Sequence, residues 1–263
     1  MKGLGAHGLG AIYAREMRGY FTSPIAYVII AVFLALVGLF FMGALREYVN
    51  FDSYLREHLS ASGQQVQSAD VHQYLVRRVL GSLAVLTLFV LPFITMGSFA
   101  EEQRAGTMEL LLTSPVGQLG IVLGKFLAAS TIFVIMLAVS LALVSVLFLY
   151  GNPHPPVIFT GFLGLFLQGE AFLVIGLFMS SLTRSQVVAG VGGLGAVLVL
   201  WLAGSLGDPS STLGQWLSDL SLVSHFEDFS KGVLDTKHIV FYVSFIFFGL
   251  FLTLRSLESL KYR

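Results

Sequence analysis

Six long apolar runs, separated by short polar segments, make up most of the chain. They cover approximately residues 25–45, 80–99, 121–149, 157–180, 187–206 and 239–257. A helix crosses the hydrocarbon core of a bilayer in about 20 residues, each rising roughly 1.5 Å, so every run is long enough to span. The third is long enough to tilt. The runs are continuously apolar, whereas barrel strands alternate, and this predicts helices. The fold expected is an all-α integral membrane protein with six transmembrane helices, in one domain over residues 1–263 with no internal repeat.

The intervening segments predict smaller elements. Residues 8–23 are amphipathic, with Ile12, Met17, Tyr20 and Phe21 set against Arg15, Glu16 and Arg18. Such a helix lies in the membrane interface with its apolar side in lipid. Ser23-Pro24 then turns the chain into the first span, since proline is tolerated at a helix start. A first outer loop, residues 46–78, is polar and too short for a domain with its own core; a short helical excursion is expected. In the last outer loop, residues 207–238, Trp216, Leu220, Phe226 and Phe229 recur at helical spacing among acids. That pattern fits two short helices, either dipping into the outer leaflet or lying on the surface. Gly190, Gly192, Gly193 and Gly195 open the fifth span. Small residues let helices approach closely in lipid, so a helix–helix contact is expected there.

Composition confirms the solvent. The chain is 56% hydrophobic and 11% charged, where a soluble domain carries about 25% charged residues. Its net charge is zero, so it exerts no bulk attraction on nucleic acid. It has no cysteine, which excludes disulfides and thiol chemistry. The N-terminal residues do not read as a cleavable signal, so the first span is expected to direct insertion. Lys2, Arg15, Arg18, Arg104, Lys125, Arg184, Arg255, Lys261 and Arg263 fall on one side of the spans. The other side carries Arg46, Arg56, Arg77, Arg78, Lys231 and Lys237. The first side is richer in bases and has shorter loops, which places it and both termini in the cytoplasm.

Resident chemistry is sparse. There is no His-Glu-x-x-His motif, and the histidines are scattered, mostly in predicted loops, so no metal site is expected. The segment from Gly120 to Phe126 fails as a phosphate loop: its spacing is one residue short, and Phe126 stands where Ser or Thr would hold magnesium. Lys125 is expected to snorkel to lipid headgroups. Glu170 is the only acid deep in a span. An ionisable group there is costly and marks a pathway or gating candidate. Gln168, Ser140 or Ser145 could satisfy it, and a packed structural hydrogen bond is the other reading.

One polar island, residues 100–115, stands between the second and third spans. Gly106 is expected to break the helix leaving the membrane, and Thr107 to cap the next. A short helix over 108–113 would present Glu109, Leu110 and Leu112. Ser114-Pro115 ends it, because a residue before proline avoids helical angles. Exposed leucines beside charges suit docking into a groove on a partner; an ordinary polar loop fits the same pattern.

The string Glu101-Glu102-x-x-x-Gly106-Thr107-x-Glu109-x-Leu111-Leu112-x-Ser114-Pro115, followed by Gly124-Lys125, resembles type-2 ABC transporter permeases. Phe21-Thr22-Ser23-Pro24, Leu91-Pro92-x-x-Thr95-Met96 and Ser180-Ser181-Leu182-Thr183 extend the likeness. With Ser224-His225-Phe226 in the last outer loop, the set most resembles the gliding-motility-associated branch. That branch often has arginine where this chain has Gly97. The resemblance implies six-helix subunits working in pairs in the bacterial cytoplasmic (inner) membrane. Each docks a coupling helix on a separate cytoplasmic ABC ATPase, present in two copies, which holds the ATP and Mg; this chain is then no enzyme and has no cofactor of its own. The contact would comprise Glu101, Glu102, Arg104, Gly106, Thr107, Glu109, Leu110, Ser114 and Pro115. The partner in the membrane would be a second copy or a related subunit with an extracytoplasmic part. The expected function is coupling of ATP hydrolysis to export or mechanotransmission. A non-transporting membrane scaffold and an ion-coupled carrier using Glu170 are the alternatives.

Overall fold

The computed structural model describes residues 3–60, 68–114, 116–146, 155–206 and 211–260. All secondary structure among them is helical. In chain order the helices are α1 (Gly3–Thr22), α2 (Pro24–Ser60), α3 (Ser68–Thr95), α4 (Gly97–Ala105), α5 (Met108–Leu112) and α6 (Gln118–Ser145). They continue with α7 (Pro155–Leu182), α8 (Gln186–Leu206), α9 (Thr212–Leu220), α10 (Leu222–Ser230) and α11 (Thr236–Leu260). Six stretches are long and apolar enough to cross a membrane: residues 26–50, 75–105, 118–145, 155–182, 186–205 and 236–260. They coincide with the six apolar runs of the sequence, and the protein is an all-helical integral membrane protein.

The described part of the loop expected at 46–78 is helix. At 37 residues, α2 is about 55 Å long, nearly twice the hydrocarbon thickness, so it projects beyond the bilayer. The Arg78 guanidinium, 3.2 Å from Glu47, ties the projecting parts of α2 and α3 together. Polar residues there kept the helix because no glycine or proline interrupts residues 46–60.

α7 is the central helix. It packs against α3, α6, α8, α10 and α11, and most of its residues are buried. Glycines make this possible: a Cβ at Gly161 would overlap Leu80, at Gly169 the Phe133 ring, and at Gly176 the Thr95 hydroxyl. On α11 a Cβ at Gly249 would overlap Val174. The glycines of α8 approach their neighbours less closely. A Cβ at Gly190 would lie 3.3 Å from Met96 Sδ, at Gly192 2.7 Å from Met179 Cε, and at Gly193 3.5 Å from Pro92 Cβ. Gly195 has nothing within 4 Å.

α1 does not turn its apolar side to lipid alone. Ile12 is buried, and a Cβ on Gly124 of α6 would stand 2.8 Å from Ile12 Cγ2. Tyr13 shares a 3.1 Å hydrogen bond with Thr131 of α6. Met17 and Tyr20 also pack inward, and Phe21 stays exposed. The two helices of the last outer loop meet at Ser221. α9 leans on α8, and α10 buries Leu222, Phe226 and Phe229 against the bundle.

Candidate functional site

α4 and α5 form an arm at one end of the bundle, set off from α3 by an interruption of the helix at Met96. Pro92 lies inside α3, and the helix stops at Thr95. α4 restarts after Met96, so its first amides lack helical partners. Ser180, at the end of α7, supplies them: the N–H groups of Phe99 and Ala100 each donate to its Oγ at 3.0 Å, and that hydroxyl donates to Met96 O at 2.8 Å. Gln103 Nε2 donates to Ser181 O at 2.9 Å. At its far end α4 terminates on Gly106, whose φ of 70° is left-handed, and the Thr107 N–H closes the turn on Glu102 O at 3.0 Å.

α5 follows at once. Thr107 does not cap it through its side chain as the sequence suggested; its φ of −87° and ψ of −4° are helical, and its hydroxyl donates back to Glu102 O at 3.4 Å. Met108 and Leu111 are buried with Ile12, Phe99 and Ile121. Glu109 and Leu110 point outward, and Leu110 is 72% exposed. Arg104, Gly106 and Thr107 are exposed beside them, and Glu101 is exposed earlier on α4. Ser114 Oγ donates to Leu111 O at 2.7 Å, closing the turn; Pro115 lies outside the described residues.

Glu102 faces the other way. It shares a cluster with Arg15, Glu16 and Lys125. Lys125 does not snorkel: it is 2% exposed, with Nζ 2.8 Å from Glu16 Oε1 and 3.1 Å from Glu102 Oε1. The same ammonium stands 5.3 Å over the Phe99 ring. Arg15 pairs with both acids. Burial opposes ionisation of Glu16, but Lys125 and Arg15 outweigh it and hold the carboxyl below its ordinary value. α1, α4 and α6 are thereby joined by charge.

Glu170 is 3% exposed in α7. Its partner is Ser130 of α6, whose hydroxyl donates to Oε1 at 2.6 Å, and not Gln168, Ser140 or Ser145. The latter two serines donate to carbonyls of their own helix. Glu170 Oε2 and both polar atoms of Gln168 are buried without a partner among the described residues.

At the opposite end two histidines that looked scattered come together. His225 Nδ1 and His238 Nδ1 are 2.6 Å apart. His225 Nε2 is 3.0 Å from Asp219 O, and His238 Nε2 is 3.0 Å from Asp228 Oδ2. Both outer atoms are acceptors, so each Nε2 carries a proton, and the bond between the rings needs a third. Two neutral imidazoles hold two, so the network assigns one positive charge to the pair, beside Asp228. Burial first, then the charges of His238 and Lys237, lower the pKa of His225. Spacing in the sequence could not show this, because the two rings sit on different helices.

These features define a class: a polytopic helical membrane protein whose polar residues gather at one end around a short helix between two spans. Residues 10–211 match the family described as "ABC-2 family transporter protein". The chain belongs to that family and is a membrane permease subunit of an ABC transporter. Over 159 residues it is 27% identical to the Escherichia coli K12 protein described as "Probable multidrug ABC transporter permease YbhR", and to its counterpart in Escherichia coli O157:H7. The similarity covers 57% of this chain and 41% of the relative's length. Neither description names gliding motility.

Proposed function

We propose that the chain couples a separate cytoplasmic ATPase to movement of a substrate across the bacterial cytoplasmic membrane, with α5 as the coupling helix. The observation that supports this most is the two-sidedness of α5: Met108 and Leu111 anchor it in the bundle, while Glu109 and Leu110 are exposed. Five residues cannot hold a helix in water alone; buried anchors with an outward leucine suit a helix made to be pushed. Arg104, Gly106 and Thr107 are exposed beside the same surface and Ser114 closes the turn after it, while Glu101 lines the cleft behind α4. Glu102 acts from inside, joining α4 to α1 and α6. Two ATPase copies, each with ATP and Mg, would press on two permease chains, either two copies of this one or this one with a related subunit. Both termini then lie in the cytoplasm. Glu170 and Gln168 supply polarity at the middle of α7 for a pathway or gate.

Affinity purification from native membranes in mild detergent, with mass spectrometry and an ATPase assay, tests this. An ATP-binding subunit should co-elute, and Leu110→Glu should lose it while still inserting. Recovery of the chain with extracytoplasmic proteins and no ATPase would favour a scaffold instead.

A further inference from the structure

A cleft of about 480 Å³ opens between α1–α2 and α3–α4. Both walls are broken at its level, at Ser23 and at Met96. Arg15, Glu16, Glu101, Glu102 and Lys125 line its ionic part. Ile29, Ile30, Phe93, Ile94 and Ile132 line its apolar part. The size suits a small organic molecule, and the lining suits one with a charged head and an apolar body.

The charge balance sets the sign of that head. Arg15 and Lys125 are both taken up by Glu16 and Glu102. Glu101 is exposed and makes no ion pair among the described residues. Its carboxylate borders the cleft beside Gly97 and Gln186: a Cβ at Gly97 would already be in van der Waals contact with Glu101 Oε2, at 3.5 Å, and with Gln186 Nε2, at 3.6 Å. An uncompensated carboxylate next to apolar walls attracts a cation more strongly than it would in water, and repels an anion of equal size.

We infer that this cleft binds amphiphilic organic cations, with the positive centre by Glu101 and the apolar body against Ile29, Ile30, Phe93 and Ile94. The inference rests on the permease reading, since it names the substrate class. It also links substrate to coupling: the occupied cleft abuts the α3–α4 junction, and α4 carries α5.

Tetraphenylphosphonium and tetraphenylborate have the same shape and opposite charge. Their binding to the purified full chain in phosphatidylcholine nanodiscs, against empty nanodiscs, tests the assignment. The cation should bind saturably and at least tenfold more tightly than the anion. Gly97→Arg, which fills the cleft and pairs with Glu101, should weaken the cation at least tenfold, and Ala26→Trp should do so by filling alone. Glu101→Gln, the mildest change, should abolish the charge preference without lowering the melting temperature. Equal binding of both ions, no binding above the empty disc, or binding that Glu101→Gln leaves unchanged would overturn the inference. Co-elution of the ATPase with the unmodified chain is read separately. If it persists when the cation fails to bind, the substrate class falls and the permease reading stands.

Discussion

Lys125 shows what a residue's neighbours in space can do to its role. From the sequence it is a base heading an apolar run, and snorkelling is the cheapest use of such a residue. The fold instead brings it Glu16 from α1 and Glu102 from α4, and no local pattern encodes that meeting. Lys125→Met would leave two half-buried acids facing only Arg15. It should cost about 2–4 kcal/mol, below the roughly 3–5 kcal/mol for breaking a fully buried pair because the acids keep some exposure. A thermal melt in detergent reads this; an unchanged melt would mean that the cluster contributes nothing to stability. The pH sign follows from the lowered pKa of Glu16: its stabilisation is complete above the ordinary value of 4.5 and is lost as the pH falls through the lower folded value. Glu16→Gln should therefore flatten the acid side of the stability profile. His225 gives a second, separate window. Its folded pKa also lies below the ordinary 6.5, so its contribution is full above that pH and declines below it. A second proton on His225 would crowd the gap to His238. Limited proteolysis should find α9 and α10 more readily cleaved as the pH falls below 6.5, and a flat response would contradict the shared-proton network.

At the scale of elements, the legible parts are those with local punctuation. Gly106 and Ser114-Pro115 bracket α5 in the sequence because left-handed backbone and pre-proline geometry are decided by single residues. The six spans were legible for the same reason: the bilayer's demand falls on each segment separately. The paired helices α9 and α10 could be read from their apolar spacing, but their choice between lipid and the bundle could not. The importance of α7 was hidden. Its glycines are spread through the helix and looked ordinary beside the cluster in α8, yet they receive Leu80, Phe133 and Thr95 from α3 and α6. What makes a glycine indispensable is the side chain that arrives from elsewhere. Gly169→Leu should force the Phe133 ring out and destabilise the chain by about 1–3 kcal/mol or more. Gly195→Ala, with open space around it, should be neutral or stabilising by up to about 1 kcal/mol through helix propensity. Equal effects at the two positions, read by thermal melts, would refute the assignment of α7 as the packing centre.

Across the whole molecule, polar function is concentrated at the end that carries α1, α4 and α5, and the His225–His238 pair holds the other. Between them α2, α8 and α11 present broad apolar faces; Leu39, Val187 and Phe247 are 69%, 72% and 70% exposed. In water such surfaces would aggregate; they suit a lipid surround. The coupling role proposed for this chain turns on one contact, that of α5 with an ATPase on the cytoplasmic side. The chain has no cysteine, so Leu110→Cys introduces a single reporter thiol. Attaching a photo-crosslinking maleimide to that thiol in inside-out membrane vesicles, then irradiating, reads the contact directly. The predicted result is a covalent adduct with an ATP-binding subunit. Labelling of the introduced thiol only from the outer face, or efficient labelling with no ATPase adduct, would contradict it.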